Sequence, residues 1–504
     1  MPPSVTFELP DPSYEKYHWV WESEHAPGAQ PPLTRDMFSS MWPEPGDGPP
    51  DQLDLHGYSY SRVDDPDAEW RPPPPPDDGL TALQRWEQKW LPRVDALLAE
   101  LIEFDPSSVP PGEWQSTLDE QASKFGKVFG GVHMQTVSQS GEISRRFIED
   151  YVALLGEERR ADALALMQGF NNCTSERAVE LWELSRQVRA RPELLESLSA
   201  WDGNDSGAVD PDFGRRFAAF LERWGFTMDG FVQDLSSWRE NPRVPLALIL
   251  READQPDDAS PALAAAAQSR RRAELEQELR SLPESEAAAA LVAALPVAQE
   301  VLPTRENHNF LCDQRLTYAS RQRWLSIGRH LLAQGRLENA SSVFYLFGGE
   351  LVDALEGRES PPPATLRERL ALQQVVRAAD PPSTLGQPLP GSSQGQVAQL
   401  SGTAASPGVF RGRARIVRTI EEAIDLDGSD VLVCGITSPA WTHVFATIGA
   451  LVTDAGSDLS HPAIVAREYG LPAVVGTKRA TSTIPDGATI EVDGDRGIVT
   501  IEPG

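Results

Sequence analysis

The sequence predicts an α plus α/β protein, with a mostly helical N-terminal and central domain followed by a small α/β domain. Between residues 80 and 356 apolar residues recur every three or four positions, as in LTALQRWEQKWLPRVDALLAELIEF, which is typical of amphipathic helices. Beyond residue 400 the runs DVLVCGIT and TIEVDGDRGIVTI are short, rich in Val and Ile, and bounded by turn residues, which indicates strands. A chain of 504 residues is long enough for two or three such domains.

Proline clusters mark the predicted boundaries. The run RPPPPPDD at residues 71–78 cannot form a helix or a central strand, so it closes an N-terminal arm, residues 1–78. This arm is rich in Trp, Pro and acidic residues without clear periodicity, and we expect it to be irregular and packed on a helical domain, residues 79–377. The segment 378–399 combines Pro with Gly and Ser and predicts a hinge linker. Residues 400–504 then form the α/β domain.

The helical region contains an alanine-rich, charged stretch at residues 260–295. Its composition favours helix throughout, except where Leu282 and Pro283 interrupt it. We therefore predict two helices with a break near Pro283, forming a solvated hairpin.

Charge and composition exclude several function classes. Asp and Glu number 75 against 45 Lys and Arg, a net charge of −30 that repels nucleic acid and anionic lipid surfaces. No apolar run approaches the roughly 20 residues that span a bilayer, and the N-terminus lacks a signal-peptide pattern. Cys173, Cys312 and Cys434 are too far apart for a CxxC metal motif. We expect a cytoplasmic protein without a nucleic-acid or membrane partner and without a metal site.

The strongest chemical signal is LVTDAGSDLSHPAIVAREYGLPAVVGT at residues 451–477. A buried strand at 450–453 leads through a turn to Ser460, which stands where a helix N-cap belongs, followed by His461 and Pro462. Free N–H groups in the first turn of a helix favour a neutral imidazole and can hold a phosphate attached to it. His461 is therefore a candidate phosphoryl carrier, although a histidine after a serine cap is also common without any catalytic part.

This segment resembles the mobile, or phosphohistidine, domain of the phosphoenolpyruvate-utilising enzymes, whose pattern is roughly T-D-x-G-G-x-x-x-H-x-A-I-V-A-R-E-x-G-I-P-A-V-V-G. The second glycine of that pattern is Ser457 here. SPGVFRGRARIV and ITSPAW resemble other parts of the domain, so the resemblance covers about 100 residues. It implies a swivelling domain with His461 as the phosphoryl carrier.

Four residues near His461 are candidate phosphate ligands: Ser460, Gly456, Thr437 and Arg467. Arg467 is equally compatible with a surface ion pair to Glu468, and Thr437 with an ordinary turn. The nearby His443 is predicted to be a partly exposed structural residue, because no metal-ligand spacing surrounds it.

The helical region resembles the substrate part of rifampicin phosphotransferase-like and phenylphosphate synthase-like proteins. The matching pieces include WVWESEHAPGAQPPLT, RENHNFLCDQRL and GRLENASSVFYLFGGEL. The chain stops at Gly504 without a pyruvate-binding barrel and shows no glycine-rich nucleotide loop. The resemblance to phenylphosphate synthase-like systems implies a separate ATP-grasp subunit, where ATP and Mg²⁺ bind. That subunit would transfer the β-phosphoryl group to His461 and release AMP and phosphate.

The same resemblance implies a phenolic acceptor, such as phenol or cresol, which needs only a modest base. His25, His308 and Glu306 are the candidate acceptor bases, and Trp19, Trp21 and Arg305 are the candidate substrate-binding residues. The tryptophans are also explained by simple packing of the arm, and the RENH segment by a structural ion-pair cluster.

Two other functions are compatible with the sequence. One is phosphorylation of an antibiotic, as in rifampicin phosphotransferase, and the other is a non-catalytic phosphohistidine carrier or regulatory protein. A cavity lined by Trp19, Trp21, His25 and His308 that faces His461 would favour catalysis, whereas a filled helical core would favour the regulatory function.

Overall fold

A computed structural model describes residues 5–22, 28–39, 50–64, 76–201, 210–228, 230–379, 381–387 and 399–502. The described α-helices, α1 to α17 in chain order, are Pro32–Ser39, Ala82–Arg85, Leu91–Ile102, Trp114–Leu155, Arg160–Ala165, Cys173–Arg189, Pro192–Ser199, Pro211–Trp224, Arg243–Ala253, Pro261–Arg280, Glu286–His308, Arg315–Ala333, Gly348–Leu355, Pro363–Arg377, Ile420–Ala423, His461–Tyr469 and Ala480–Thr483. The described strands, β1 to β12, are His18–Trp21, Gln52–Leu55, Tyr58–Val63, Thr384–Gly386, Gln399–Ser401, Thr403–Ser406, Val409–Ile416, Asp430–Cys434, Ala450–Thr453, Ala473–Val475, Thr489–Asp493 and Ile498–Ile501. The predicted α plus α/β class is confirmed.

The helical region is built around two long elements that pack against each other, α4 and α11. The predicted break near Pro283 is confirmed, because α10 ends at Arg280 and α11 begins after the cap Ser285, whose hydroxyl accepts from the amide of Ala288. A π-helical turn, Asn309–Gln314, joins α11 to α12. Such turns are rare and often occur at functional sites.

The helical stretch Glu286–Ala333 is long and apolar enough, by length and composition, to cross a membrane. Its most apolar 18-residue window has a mean hydropathy of 1.4 and is 39% buried inside the fold. Leu291, Leu295 and Leu302 pack into the same core as residues of α4, as expected for a core helix of a helical domain. The stretch is therefore weak evidence for a membrane segment.

The expectation that the N-terminal arm is irregular is wrong for its described part. Strands β1, β2 and β3 form a sheet of order β2-β3-β1-β4, in which Trp19 lies opposite Arg62 on one side and Leu385 on the other. The strands have only three to six residues, too few for an alternating pattern to be recognised. Their partner β4 also comes from more than 300 residues downstream, which no local pattern reveals.

The same sheet includes part of the predicted hinge, residues 378–399. Its first part does not lie free between domains, because β4 pairs with β1 and Tyr60 donates a hydrogen bond of 2.8 Å to the carbonyl of Pro382. Residues 388–398 lie outside the described part of the chain. The N-terminal sheet therefore fixes the point at which the chain leaves the helical domain.

The C-terminal region has a mixed eight-stranded sheet of order β5-β12-β11-β7-β8-β9-β10-β6. Its centre, β7 to β10, is parallel, and the outer pairs are antiparallel. Strands β8 and β9 are buried on both faces, as their continuous Val and Leu runs predict. Helix α16 connects β9 to β10 and carries His461 at its first position.

The C-terminal domain is docked on the helical domain. One apolar core contains residues of both, for example Phe310 and Trp238 together with Trp441 and Phe445. Across the same interface, His443 Nδ1 lies 3.2 Å from Glu252 Oε1, and both side chains are buried. The prediction that His443 is partly exposed is therefore wrong: burial holds the pKa of His443 well below and that of Glu252 well above their usual values.

Candidate functional site

His461 lies where the sequence predicts it, at the start of α16 with Ser460 at the N-cap position. The Ser460 hydroxyl does not cap the helix but donates a hydrogen bond of 2.7 Å to the carbonyl of Ser457. The first helical bond is donated by Ile464 to the Ser460 carbonyl, so the amides of His461 and Ala463 precede the intrahelical ladder. The positive end of the helix therefore adjoins the imidazole.

A carboxylate of the helical domain fixes the imidazole of His461. Nδ1 of His461 lies 3.1 Å from Glu306 Oε2 on α11, and Nε2 is buried without a hydrogen-bond partner among the described residues. Burial alone would raise the pKa of Glu306, but His461, Arg305 and His308 outweigh it and hold that pKa below its usual value. The ionised carboxylate can only accept, so the proton of neutral His461 sits on Nδ1 and the lone pair on Nε2.

The two domains enclose a cavity of about 780 Å³, and His461 lies on its wall. Arg305, Glu306 and His308 line it from the end of α11. Rings from three separate parts of the chain also contribute, namely Trp21, Tyr58, Phe231 and Trp441. The volume is in the upper part of the range of about 300–1,000 Å³ that is typical of pockets for drug-sized ligands.

A buried cluster of three residues forms part of the cavity wall next to Glu306. His133, on α4, places Nδ1 2.9 Å from Asp313 Oδ2, and His308 places Nε2 3.5 Å from the same oxygen. His133 and His308 line the cavity. Burial is the main reason why the pKa of His308 is lowered to about 4, so its ring is neutral near pH 7.

Several predicted site residues meet at the cavity. Trp21, Thr437, Ser460 and His308 line it, and in the part of the chain that the structure describes the buried Thr437 hydroxyl has no hydrogen-bond partner. Arg305 also lines it, but its guanidinium bridges the two domains by donating to the carbonyl of Leu459 at 3.0 Å. Arg305 thus anchors the loop that precedes His461.

Other predicted residues have different places. Trp19 is fully buried in the N-terminal sheet, donates to the carbonyl of Tyr14 and does not line the cavity, so its expected contact with the acceptor is corrected to packing. Glu306 was predicted as a base for the acceptor, but its carboxylate is engaged with His461 itself. His25 lies outside the described residues.

Arg467 and Gly456 also differ from the expectation that they bind phosphate. The buried guanidinium of Arg467 donates to the carbonyls of Ala405 and Asp458, at 2.8 and 2.7 Å, so it supports the loop before α16 from behind. Gly456 is not part of the cavity wall. Its φ of +115° lets the turn pass close to Ser460.

Sequence reasoning missed His133 and Asp313, together with Tyr58 and Trp441. His133 precedes His308 by 175 positions, and no spacing rule connects residues on different helices. The only local signal was Asp313 itself, an acidic residue directly after the apolar run FLC.

A buried acid at the domain interface gives a testable pH dependence. Burial, followed by repulsion from Glu306, raises the pKa of Glu468 to about 8. The folded chain keeps this proton where the unfolded chain has lost it, so stability is constant below the ordinary value near 4.5, falls as pH rises from there to about 8, and levels off above. We expect Glu468→Gln to raise the free energy of unfolding at pH 9 by roughly 2 kcal/mol, with little change at pH 4.

Urea titrations at pH 4, 7 and 9 measure this effect, with Glu491→Gln, an exposed position of the same domain, as the matched control. An equal effect of both variants at pH 9 would show that Glu468 has an ordinary carboxyl group.

Two known families match separate parts of the chain. Residues 426–497 match the family described as "PEP-utilising enzyme, mobile domain", and residues 133–306 match "Rifampicin phosphotransferase fourth domain". The first match contains His461, and the second begins at His133 and ends at Glu306. The two residues in hydrogen-bond contact, His461 and Glu306, therefore come from two different family segments.

Similar curated proteins cover much of the chain. A rifampicin phosphotransferase from a Streptomyces species is 32% identical over 370 residues, which is 69% of this chain and 42% of that protein. The rifampicin phosphotransferase of Bacillus subtilis is 28% identical over 373 residues, with the same shares. Chondramide synthase cmdD of Chondromyces crocatus is 30% identical over 458 residues, 82% of this chain and 12% of that protein. The chain thus spans less than half the length of these relatives, and it joins a segment similar to the PEP-utilising enzyme mobile domain to one similar to the rifampicin phosphotransferase fourth domain.

Proposed function

We propose that the chain is the carrier and acceptor-binding part of a phosphotransferase, in which His461 receives a phosphoryl group and passes it to a hydroxyl of a small molecule in the cavity. The observation that carries this proposal is the contact of His461 Nδ1 with Glu306 at the wall of a cavity of about 780 Å³. It leaves the Nε2 lone pair as the nucleophile. A cavity, rather than a filled core, supports catalysis over a purely regulatory carrier.

Two features support a bulky acceptor over the phenol or cresol that the sequence suggested. The cavity is large for a single ring, and the relatives that cover 69% of the chain are named for rifampicin. The aromatic wall formed by Trp21, Tyr58 and Trp441 suits an acceptor that contains rings. A hydroxyl on a large, ring-containing natural product or antibiotic is therefore the proposed acceptor, and a simple phenol is the second candidate.

ATP and Mg²⁺ are the proposed source of the phosphoryl group, bound by an ATP-grasp unit outside the segment that the structure describes. His461 Nε2 is buried in the docked arrangement, so loading requires the C-terminal domain to move away from the helical domain. During transfer the P–N bond breaks while the acceptor oxygen forms a P–O bond, and the hydroxyl proton passes to a base on the cavity wall.

The test loads the chain with β-labelled ATP, Mg²⁺ and the ATP-binding portion of a rifampicin phosphotransferase supplied as a separate polypeptide. The labelled chain, freed from nucleotide, is then mixed with single-ring phenols or with hydroxyl-bearing macrocyclic antibiotics. We expect the label to leave the protein with the macrocycles. Discharge to phenols alone would restore the aryl acceptor, and a stable label with every acceptor would contradict catalysis.

The turn before α16 offers a second check on the carrier. A Cβ at Gly456 would lie 2.8 Å from Ser460 Oγ, and the φ of +115° is itself unfavourable for alanine. We expect Gly456→Ala to slow phosphorylation of His461 by about 10-fold, because the first turn of α16 must shift. Gly470→Ala is the matched control: it also has a positive φ, but its Cβ would meet nothing within 4 Å, so loading should stay normal.

A further inference from the structure

The cluster of His133, His308 and Asp313 has no role in carrying the phosphoryl group. Their ligand atoms all lie within 4.8 Å of one another, and Asp313 is completely buried. His308 ends α11, and Asp313 lies in the π-helical turn that follows. The irregular turn therefore brings two potential ligands from one helical stretch to face a third on α4.

The hydrogen bonds of His308 leave a lone pair directed at a carboxylate. Its Nδ1 contacts the backbone carbonyl of Arg305, and a carbonyl can only accept, so Nδ1 carries the proton. In the neutral ring Nε2 is then an acceptor, yet it faces Asp313 Oδ2 at 3.5 Å. A ring nitrogen and a carboxylate oxygen that face each other at this distance are placed to share one cation.

The buried charge of Asp313 also lacks a conventional partner. Among the described residues, its ion-pair contacts are the two histidines, and the arginine nearest in sequence, Arg315, pairs with Asp95. A buried carboxylate normally requires a positive charge or a metal. Hydrogen bonds from His133 and from the Cys312 thiol are weak substitutes for either.

We propose that His133 Nδ1, His308 Nε2 and Asp313 form a binding site for one divalent first-row transition-metal cation. Two nitrogen ligands and one carboxylate suit ions such as Zn²⁺, Co²⁺, Mn²⁺ or Fe²⁺. Ligand atoms on one such ion are about 3.0–3.4 Å apart, close to the separations of 2.9 and 3.5 Å seen here. The contact of His308 Nδ1 with the Arg305 carbonyl is the kind of outer hydrogen bond that orients a metal-bound histidine.

The cavity gives the ion an entry path, because His133 and His308 both line it. Three protein ligands leave at least one coordination position open, as in catalytic rather than structural sites. On the basis of the proposed function, that position would take the acceptor oxygen and lower the pKa of its hydroxyl. Binding of the ion itself does not depend on that function.

Cobalt titration of the tag-free, chelator-treated chain tests the site. We expect visible d–d absorption that saturates at one equivalent of Co²⁺ and disappears when one equivalent of Zn²⁺ is added. His133→Ala and His308→Ala should abolish the absorption. His330→Ala, on the same helical stretch but contacting Gln334, should retain it. Absence of stoichiometric binding, or binding that survives both cluster variants, would overturn the proposal.

A second measurement keeps the test valid if the alanine variants fold poorly. His133 is partly exposed, so His133→Gln is expected to fold and serves as the conservative variant. Zn²⁺ should raise the melting temperature of the wild-type chain and of His330→Ala but not that of His133→Gln. An equal rise in all three would place the metal elsewhere and contradict the site. Because neither readout requires ATP or an acceptor, failure here is distinguishable from failure of the proposed phosphotransfer.

Discussion

His461→Ala is expected to abolish acid-labile phosphorylation of the chain and to reduce acceptor phosphorylation by at least about 10⁴-fold, since no other group replaces the lost nucleophile. The fold should survive, because the His461 side chain lies at a cavity wall rather than in an apolar core. The label from β-labelled ATP is measured after brief alkali treatment, which phosphohistidine withstands, and after acid treatment, which removes it.

His330→Ala provides the control for loss of a histidine outside the site. If His461→Ala took up as much label as the wild-type chain, with the same acid lability, the carrier would be another residue and the whole site would need to be reassigned.

Glu306→Gln is expected to spare phosphorylation of His461 and to slow its discharge to the acceptor by about 100-fold or more. Glu306 belongs to the helical domain, so it contacts His461 only when the domains are docked. In the docked state its carboxylate keeps Nδ1 protonated, and the ring then leaves phosphorus as neutral imidazole rather than as an anion. The glutamine amide can instead donate to Nδ1, which favours the phosphorylated ring without a proton on Nδ1, and that ring would have to leave as an anion.

Single-turnover experiments separate the two steps, with loading followed by label uptake and discharge by label loss after acceptor addition. Glu300→Gln, an exposed position on the same helix, is the matched control. Equal slowing of loading and discharge in Glu306→Gln would indicate a general structural role, and no slowing of discharge would remove Glu306 from the site.

The interface around this pair is largely apolar, and polar contacts join the two domains within it. Arg305 holds the carbonyl of Leu459, Glu306 holds His461, and Glu252 faces His443, all across the boundary between the domains. The pair of Glu252 and His443 is held mainly in neutral forms, since burial raises one pKa and lowers the other. Separating the domains for loading therefore does not require an ion pair to break there.

Local sequence was sufficient for the elements whose stability is local. The break at Pro283, the strand 450–453 and the start of α16 at His461 all follow from residues within one or two turns of each other. It failed for the N-terminal sheet, whose short strands are completed by β4 from the far side of the helical domain. Local sequence also assigned Trp19 and Arg467 to the site. In the structure Trp19 packs in the N-terminal sheet, and Arg467 donates to backbone carbonyls.

The amino-acid sequence alone determined that His461 begins a helix after a buried strand, with its imidazole near free amide groups, because capping and strand patterns act over a few residues. The partners of that imidazole were decided by folding in three dimensions. Glu306 is 155 positions away, and His133, His308 and Asp313 converge from two helices. Side-chain contacts between distant elements depend on how those elements pack. The periodicity of one segment does not show which other segment it packs against.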